Sequence, residues 1–192
     1  LVRKEAPEFK DATEAIKWIG GKQFATPKGA CSDRFAEAMF KKHQVAPAAY
    51  LNQSIEVIST NFKAGKLDAT TIWEPTATKL QEEGIARRVA SGASVGEFDA
   101  GFIVMRADLI KQRPDVVKAW LMAELEAQLF TTDPKNALEL VKLTSQQISG
   151  FSERTLWNAH FAVVPERIGG AAIKFTRPFT FTPEVKDLIE KA

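Results

Sequence analysis

Residues 21–40, GKQFATPKGACSDRFAEAMF, contain a short strand, a tight loop and an amphipathic helix in immediate succession. The segment Gln23–Thr26 predicts the strand, and the proline and glycine that follow it predict the loop. Ser32 or Asp33 can cap the helix. A strand that leads directly into such a helix is typical of α/β proteins. The apolar face of the helix consists of Phe35, Ala36, Met39 and Phe40.

The same alternation extends outward along the chain. One helix begins at Asp11 and ends at the pair Gly20-Gly21. Ser54 caps another helix, and Gly65 suits the left-handed conformation just after the end of that helix. Residues 12 to about 98 therefore predict an α/β half, and the remainder is mostly helical. Strands are predicted at 50–52, 67–72, 87–90 and 102–105, and later helices at 107–112, from Pro114, from Pro134, from Ser152 and over 183–192.

Composition narrows the functional classes. The chain has 192 residues, of which 45% are hydrophobic, and 26 Lys and Arg residues nearly balance 24 Asp and Glu residues. No basic block favours nucleic acid, and no apolar run approaches the ~18 residues that cross a bilayer. A single cysteine excludes an internal disulfide and a zinc site built from several cysteines.

The sequence begins at Leu1 without an initiator methionine or signal peptide, so we expect a processed protein or a fragment. The helix from Pro114 carries two adjacent apolar stripes, which is a wide face for a solvated helix. The helical half contains only one predicted strand for such faces to cover. We therefore expect that a sheet belonging to this half lies upstream of Leu1.

The loop from Lys28 to Ser32 lies between a strand and a helix. The start of a helix presents backbone N–H groups without intrahelical partners and can bind an oxyanion. Gly29 permits a close backbone approach, Ser32 adds a hydroxyl and Lys28 adds positive charge. A plain turn with a capping serine explains the same residues.

A second candidate is the Trp73-Glu74-Pro75 turn, where a strand ends and a helix begins. Ligands of open α/β sheets bind beyond the carboxyl ends of strands. The indole supplies an apolar wall, and the carboxylate can pair with a cationic group. A buried tryptophan beside a solvated glutamate is the alternative. Asp99, in a glycine-rich stretch at the change from α/β to helical character, is either a ligand contact or a turn residue.

An enzyme is also considered, because Cys31 near a helix start could act as a nucleophile in a hydrolase or transferase. It would need a base, and only His43 and His160 are available. His43 lies about 18 Å along the helix. No nucleophile elbow, phosphate loop or zinc-protease motif is present. We therefore predict no catalytic residues, no metal and no cofactor.

Three stretches together resemble the solute-binding components of nitrate/sulfonate/taurine-type ABC importers, including their thiamine-precursor-binding relatives. The first is residues 21–29, similar to a Gly-Lys-x-ϕ-Ala-x-Pro-x-Gly strand and loop. The second is residues 64–69 followed by Trp73-Glu74-Pro75, and the third is residues 102–106 with 113–117. The resemblance covers roughly residues 18–135.

The resemblance implies a type II periplasmic-binding-protein-like fold with two α/β lobes, hinge bending and a ligand cleft between the lobes. Residues 1–99 would form the second lobe, with ligand loops at 27–32 and 73–75. Residues 100–192 would form the returning part of the first lobe, whose N-terminal part would be absent. The ligand contacts implied in this way are Lys28, Gly29, Ala30, Cys31, Ser32, Trp73, Glu74 and Asp99.

The implied function is capture of a small polar ligand outside the cytoplasm for the membrane subunits of an importer, by a protein that is monomeric at full length. The ligand would be sulfonate-, taurine- or nitrate-like, or nitrogen-rich. The segment Ala30-Cys31 departs from the hydroxyl residues common in sulfonate binders, and Glu74 would repel a bare anion. A zwitterion or a cationic heterocycle therefore fits better. A ligand-sensing module of the same fold is a further alternative.

Overall fold

In the computed structural model we describe residues 1–99, 101–170 and 183–191. The chain divides into two compact units. The described residues of the first are 1–98 and 147–170, and those of the second are 99, 101–146 and 183–191. The sequence placed residues 147–170 with the helical half, whereas the structure groups them with the first 98 residues. The assignment of the two parts to lobes stays a prediction.

The elements follow one another in the order strand, helix, strand through the first unit. The strands are β1 (Val2–Arg3), β2 (Gln23–Thr26), β3 (Ala49–Asn52), β4 (Ala69–Thr70) and β5 (Ala86–Arg87). The helices are α1 (Ala12–Ile19), α2 (Cys31–His43), α3 (Ile55–Lys63), α4 (Thr76–Glu82), α5 (Ala107–Gln112), α6 (Pro114–Thr132), α7 (Ala137–Gln147), α8 (Glu153–Phe161) and α9 (Pro183–Lys191). Short 3-10 turns occupy Gly92–Ser94, Pro134–Asn136 and Glu166–Ile168.

One mixed sheet forms the centre of the first unit, in the order β3-β2-β4-β1-β5. Strand β2 pairs in parallel with β3 and with β4. Strand β1 is antiparallel to both β4 and β5, so β5 runs in the same direction as β4. The α/β class predicted from the sequence is confirmed, and β1 is a strand that the sequence did not reveal.

Helices cover both faces of this sheet. Successive side chains of a strand point to opposite faces, and Phe24 and Ala25 of β2 belong to two different core clusters. On the side of Phe24, the fully buried Ile16 and Met39 pack from α1 and α2. On the side of Ala25, the cluster contains Ile58, Phe62, Leu67 and Leu80, from α3, α4 and the segment before β4.

Capping side chains begin three of these helices as predicted. Asp11 accepts a hydrogen bond from the amide of Glu14 at 3.0 Å, and Ser54 and Ser152 occupy the same position in α3 and α8. The predicted cap of α2 by Ser32 or Asp33 is wrong. That helix begins at Cys31, with Ala30 at the cap and no capping side chain. The carbonyl of Ala30 accepts from the amide of Asp33 at 3.0 Å, so the helix starts before either predicted cap.

Residues of α8 and the preceding loop join the first unit through α4. Lys79 Nζ donates to the carbonyl of Gly150 at 2.7 Å. Glu82 accepts from Thr155 Oγ1 and Asn158 Nδ2, each at 2.6 Å. These polar contacts explain why the later segment belongs with the α/β unit.

The second unit is mainly helical in its described residues, and residues 99 and 101–106 belong to no helix or strand. A groove of about 360 Å³ runs between α5 and α6, and its lining includes Ile110, Val117, Leu121 and Leu125. No residue of α5 or α6 is buried. The predicted strand over 102–105 is wrong, because these residues pair with no strand in the described part of the chain and Val104 is 88% exposed. A β-strand needs a hydrogen-bonded neighbour.

Within the described ranges, none of the helices combines the length and apolar content needed to cross a membrane.

Candidate functional site

Two turns leave the central sheet at the same edge. Strands β2 and β4 are parallel neighbours, with Phe24 opposite Ala69 and Ala25 opposite Thr70. The loop of residues 27–30 follows β2, and the Trp73-Glu74-Pro75 turn follows β4. Both turns therefore lie beyond the carboxyl ends of adjacent strands, where α/β sheets bind ligands. We call this place the turn edge.

Buried hydroxyl groups connect the two turns. Thr26 Oγ1 donates to the carbonyl of Thr71 at 3.1 Å and accepts from Thr71 Oγ1 at 2.9 Å. The hydroxyl of Ser32 lies 3.0 Å from Thr26 Oγ1. All three side chains are buried. The sequence did not reveal this cluster, although hydroxyl residues at the ends of two strands were a usable signal for it.

The loop after β2 is held by side chains from elsewhere in the unit. The amide of Lys28 donates to Asn52 Oδ1 at 3.0 Å, and the amide of Gly29 donates to Asp33 Oδ2 at 2.8 Å. Gly29 has φ of +77°, and a Cβ there would meet no atom within 4 Å. The glycine is therefore required for its left-handed conformation and not for space.

Tyr50 forms the flank of this loop. Its hydroxyl donates to Asp33, and the ammonium of Lys28 lies 4.8 Å from the centre of its ring. Burial and the bond to Asp33 raise the pKa of the tyrosine hydroxyl far above its usual range. Tyr50 is therefore a fixed donor, and Lys28 is held against an aromatic face beside the start of α2.

Helix α2 begins at this loop and runs for 13 residues. Its first-turn amides and the positive end of its dipole lie at the turn edge. Cys31 is its exposed first residue, and Ser32 is buried beneath it. The arrangement offers an oxyanion the backbone amides of a helix start with a lysine nearby.

The second turn exposes its tryptophan and holds its glutamate. Trp73 is 43% exposed. Glu74 Oε2 accepts from the amide of Thr78 at 3.0 Å, and Oε1 forms an ion pair with Arg88. The peptide bond between Glu74 and Pro75 is cis. Glu74 is therefore not the solvated side chain that the sequence allowed as an alternative.

Arg88 is a residue of this edge that sequence reasoning missed. Strand β5 runs parallel to β4, so the residue that follows it emerges at the same edge as the two turns. The sequence placed Arg88 inside the strand predicted over 87–90, whereas β5 ends at Arg87, so the prediction did not single it out.

The remaining predicted residues lie as follows. Ala30 is the half-buried cap position of α2. Asp99 is exposed and belongs to the second unit. Its role as a ligand contact stays a prediction.

His43 and His160, which a cysteine enzyme would need as a base, lie on different helices. His43 ends the helix that Cys31 begins, which separates their backbones by about 18 Å. Burial, followed by the charges of Lys42 and Lys17, lowers the pKa of His43. Burial alone lowers the pKa of His160, which lies on α8. In the part of the chain that the structure describes, no group of three or more His, Cys, Asp or Glu residues could hold a metal ion.

Comparison with known proteins finds relatives in sequence and in fold. The taurine-binding periplasmic protein of Escherichia coli (strain K12) is 23% identical over 157 residues, which cover 75% of this chain and 48% of that protein. The fold is similar to that of the alkanesulfonate-binding protein SsuA from Xanthomonas axonopodis pv. citri bound to MOPS, with a TM-score of 0.64 and 22% identity. That match covers 82% of this chain and 52% of the other.

A second solved structure supports the same fold. It is the ligand-binding component of an ABC-type import system from Staphylococcus aureus with zinc bound, with a TM-score of 0.62 and 15% identity. It covers 82% of this chain and 53% of the other. The chain thus spans about half the length of these relatives. The sequence profile of the family described as "NMT1/THI5 like" matches residues 9–137, and the chain belongs to that family.

Proposed function

We propose that the chain is a solute-binding component of an ABC importer and acts outside the cytoplasm. It would capture a small polar ligand without bond chemistry and present it to the membrane subunits as a monomer. The observation that carries this proposal is the meeting of two turns at one sheet edge, joined by the buried hydroxyls of Thr26, Ser32 and Thr71.

The turn after β2 would bind the acidic end of the ligand. Helix α2 begins at the turn edge without a capping side chain, and Lys28 lies beside its start against Tyr50. A sulfonate suits such a site because it distributes one negative charge over three acceptor oxygens. Two of the relatives carry names that specify a taurine-binding and an alkanesulfonate-binding protein.

The turn after β4 would bind the body of the ligand. The half-exposed indole of Trp73 offers a flat apolar surface at the turn edge. Glu74 remains a predicted contact for a positively charged group. Its carboxylate already has two partners, Thr78 and Arg88, which reduces the support for that role.

Ligand binding by the full-length protein tests the proposal. Isothermal titration and thermal unfolding with taurine, alkanesulfonates, nitrate, guanidine and a set of pyrimidines would identify the ligand class. A ligand at 100 times its Kd stabilises the folded state by about 2.7 kcal/mol. The absence of any stabilisation across this set would contradict the proposal.

Variants then assign the site. Trp73→Ala should weaken binding by at least about tenfold, because it removes one aromatic contact. Trp157→Ala is the matched control, since Trp157 has a similar exposure of 38% but lies on α8. Cys31→Ser should still bind ligand, whereas a turnover that this substitution abolishes would favour a cysteine enzyme.

A further inference from the structure

The carboxylate of Glu74 is compensated inside the protein. One oxygen accepts from the amide of Thr78, and the other pairs with the guanidinium of Arg88. The side chains of Glu74 and Arg88 are only 25% and 19% exposed, so water screens this pair less than a surface pair. The glutamate therefore adds little net negative charge to the turn edge.

Within the described part of the chain, two positive groups at this edge have no such ion pair. They are the dipole end of α2 and the ammonium of Lys28. Asp33, the nearest acidic residue of the loop, accepts from the Gly29 amide and from the Tyr50 hydroxyl. Asp33 keeps its charge, but each of its two carboxylate oxygens is occupied by one of these donors. The groups left to contact a ligand at this edge are the amides of the helix start and Lys28, and these suit an anion.

We propose that Arg88 is a specificity-determining residue that acts through Glu74. By holding the carboxylate, it keeps the turn edge attractive to a simple organic anion and prevents Glu74 from recruiting an ammonium group. The preferred ligand is then a monoanion with an apolar body, and a zwitterion of the same shape binds less tightly. This inference rests on the proposed function, because it assumes that the turn edge binds the solute.

The neighbouring arginine provides a matched control. Arg87 pairs with Glu8 and donates to the carbonyls of Ala6 and Pro7, at 2.6 and 2.7 Å. It has the same charge and is the last residue of the strand that Arg88 follows, but it has a different set of partners. A change in ligand preference that depends on Arg88 should therefore be absent when Arg87 is replaced.

The experiment compares two isosteric ligands in the full-length protein. Propane-1-sulfonate and taurine have similar shapes, but taurine carries an ammonium where the other has a methyl group. The Kd for each is measured by titration calorimetry in the unsubstituted protein, Arg88→Gln, Arg88→Lys and Arg87→Gln. The unsubstituted protein should prefer propane-1-sulfonate, and Arg88→Gln should shift the affinity ratio toward taurine by about tenfold or more, because it releases an unpaired carboxylate.

The controls separate the possible outcomes. Arg88→Lys and Arg87→Gln should keep the ratio within about threefold of the original, because the first keeps the charge and the second lies outside the pair. The double variant Arg88→Gln, Glu74→Gln should also keep it, since neither charge remains, and this variant provides the test if Arg88→Gln alone does not fold. If the double variant shifts the ratio toward taurine by tenfold, Glu74 is not the group that Arg88 controls, and the inference is wrong.

Different results would overturn different conclusions. If the unsubstituted protein binds neither these ligands nor the wider set, the proposed function fails. If it binds them, and Arg88→Gln is folded by circular dichroism but leaves the ratio unchanged, solute binding stands and the role of Arg88 is refuted. A preference of the unsubstituted protein for taurine would also refute the role of Arg88.

Discussion

Replacing Thr26 with valine tests whether the buried hydroxyls hold the two turns together. Valine keeps the shape of the fully buried side chain but removes the acceptor for Thr71 Oγ1 and the partner of Ser32. It also removes the donor to the Thr71 carbonyl. A buried polar group left without a partner costs about 1–3 kcal/mol. Because the two remaining hydroxyls can rotate to new partners, we expect a loss of about 3 kcal/mol in the free energy of unfolding.

Thr70→Val is the matched control. Thr70 is equally buried, and its hydroxyl makes one hydrogen bond, to the carbonyl of Ala25 at 2.8 Å. Its replacement should cost about 1 kcal/mol. Urea unfolding followed by circular dichroism gives both values, and an unchanged m-value shows that the difference reflects stability.

A double-variant cycle completes the test. Thr26→Val with Thr71→Val should cost less than the sum of the single changes by at least about 1 kcal/mol, since the two hydroxyls bond each other. The reasoning is refuted if Thr26→Val costs no more than Thr70→Val, or if the two threonines are additive.

Two further stability changes follow from single residues. Gln44 is the C-cap of α2 and has a φ of +53°, a left-handed conformation that glycine adopts without strain. Gln44→Gly should therefore raise the free energy of unfolding by about 0.5–1 kcal/mol. A urea midpoint of Gln44→Gly no higher than that of Gln44→Ala would contradict this. Burial lowers the pKa of His160 below 6.5, so the folded chain binds that proton less tightly than the unfolded chain. The stability that depends on neutral His160 is therefore fully present above pH 6.5 and is lost as the pH falls below that value. Between pH 7.5 and 5.5, the urea midpoint of His160→Gln should fall less than that of the unsubstituted chain. An equal fall in the two proteins would exclude His160 as a cause.

Local signals allowed much of the first unit to be predicted. The bounds of β2 agree with the prediction, and Asp11, Ser54 and Ser152 cap the helices expected of them. These features depend on residues within a few positions of one another. The family resemblance is confirmed by the profile match over residues 9–137, and it rested on short motifs in the right order.

Features that depend on distant residues were missed. Strand β1 has two residues and exists because β4 and β5 flank it, which no local pattern shows. The partnership of Arg88 with Glu74 spans 14 positions and requires the strand order to be known. Residues 102–105 have the composition of a strand, yet composition does not supply the neighbour that a strand needs. The individual ligand contacts stay predictions.

The apolar stripes of α6 have a practical consequence for anyone handling the chain. The exposed side chains along this helix include Trp120, Met122 and Leu129. Removing apolar surface from water lowers the free energy by about 25 cal/mol per Å². We therefore expect the exposed apolar side chains of α6 to bind phenyl resins. Sulfate salts strengthen the same attraction and should bring the chain out of solution early. Buffers free of sulfate should therefore keep this chain in solution longer than sulfate buffers do.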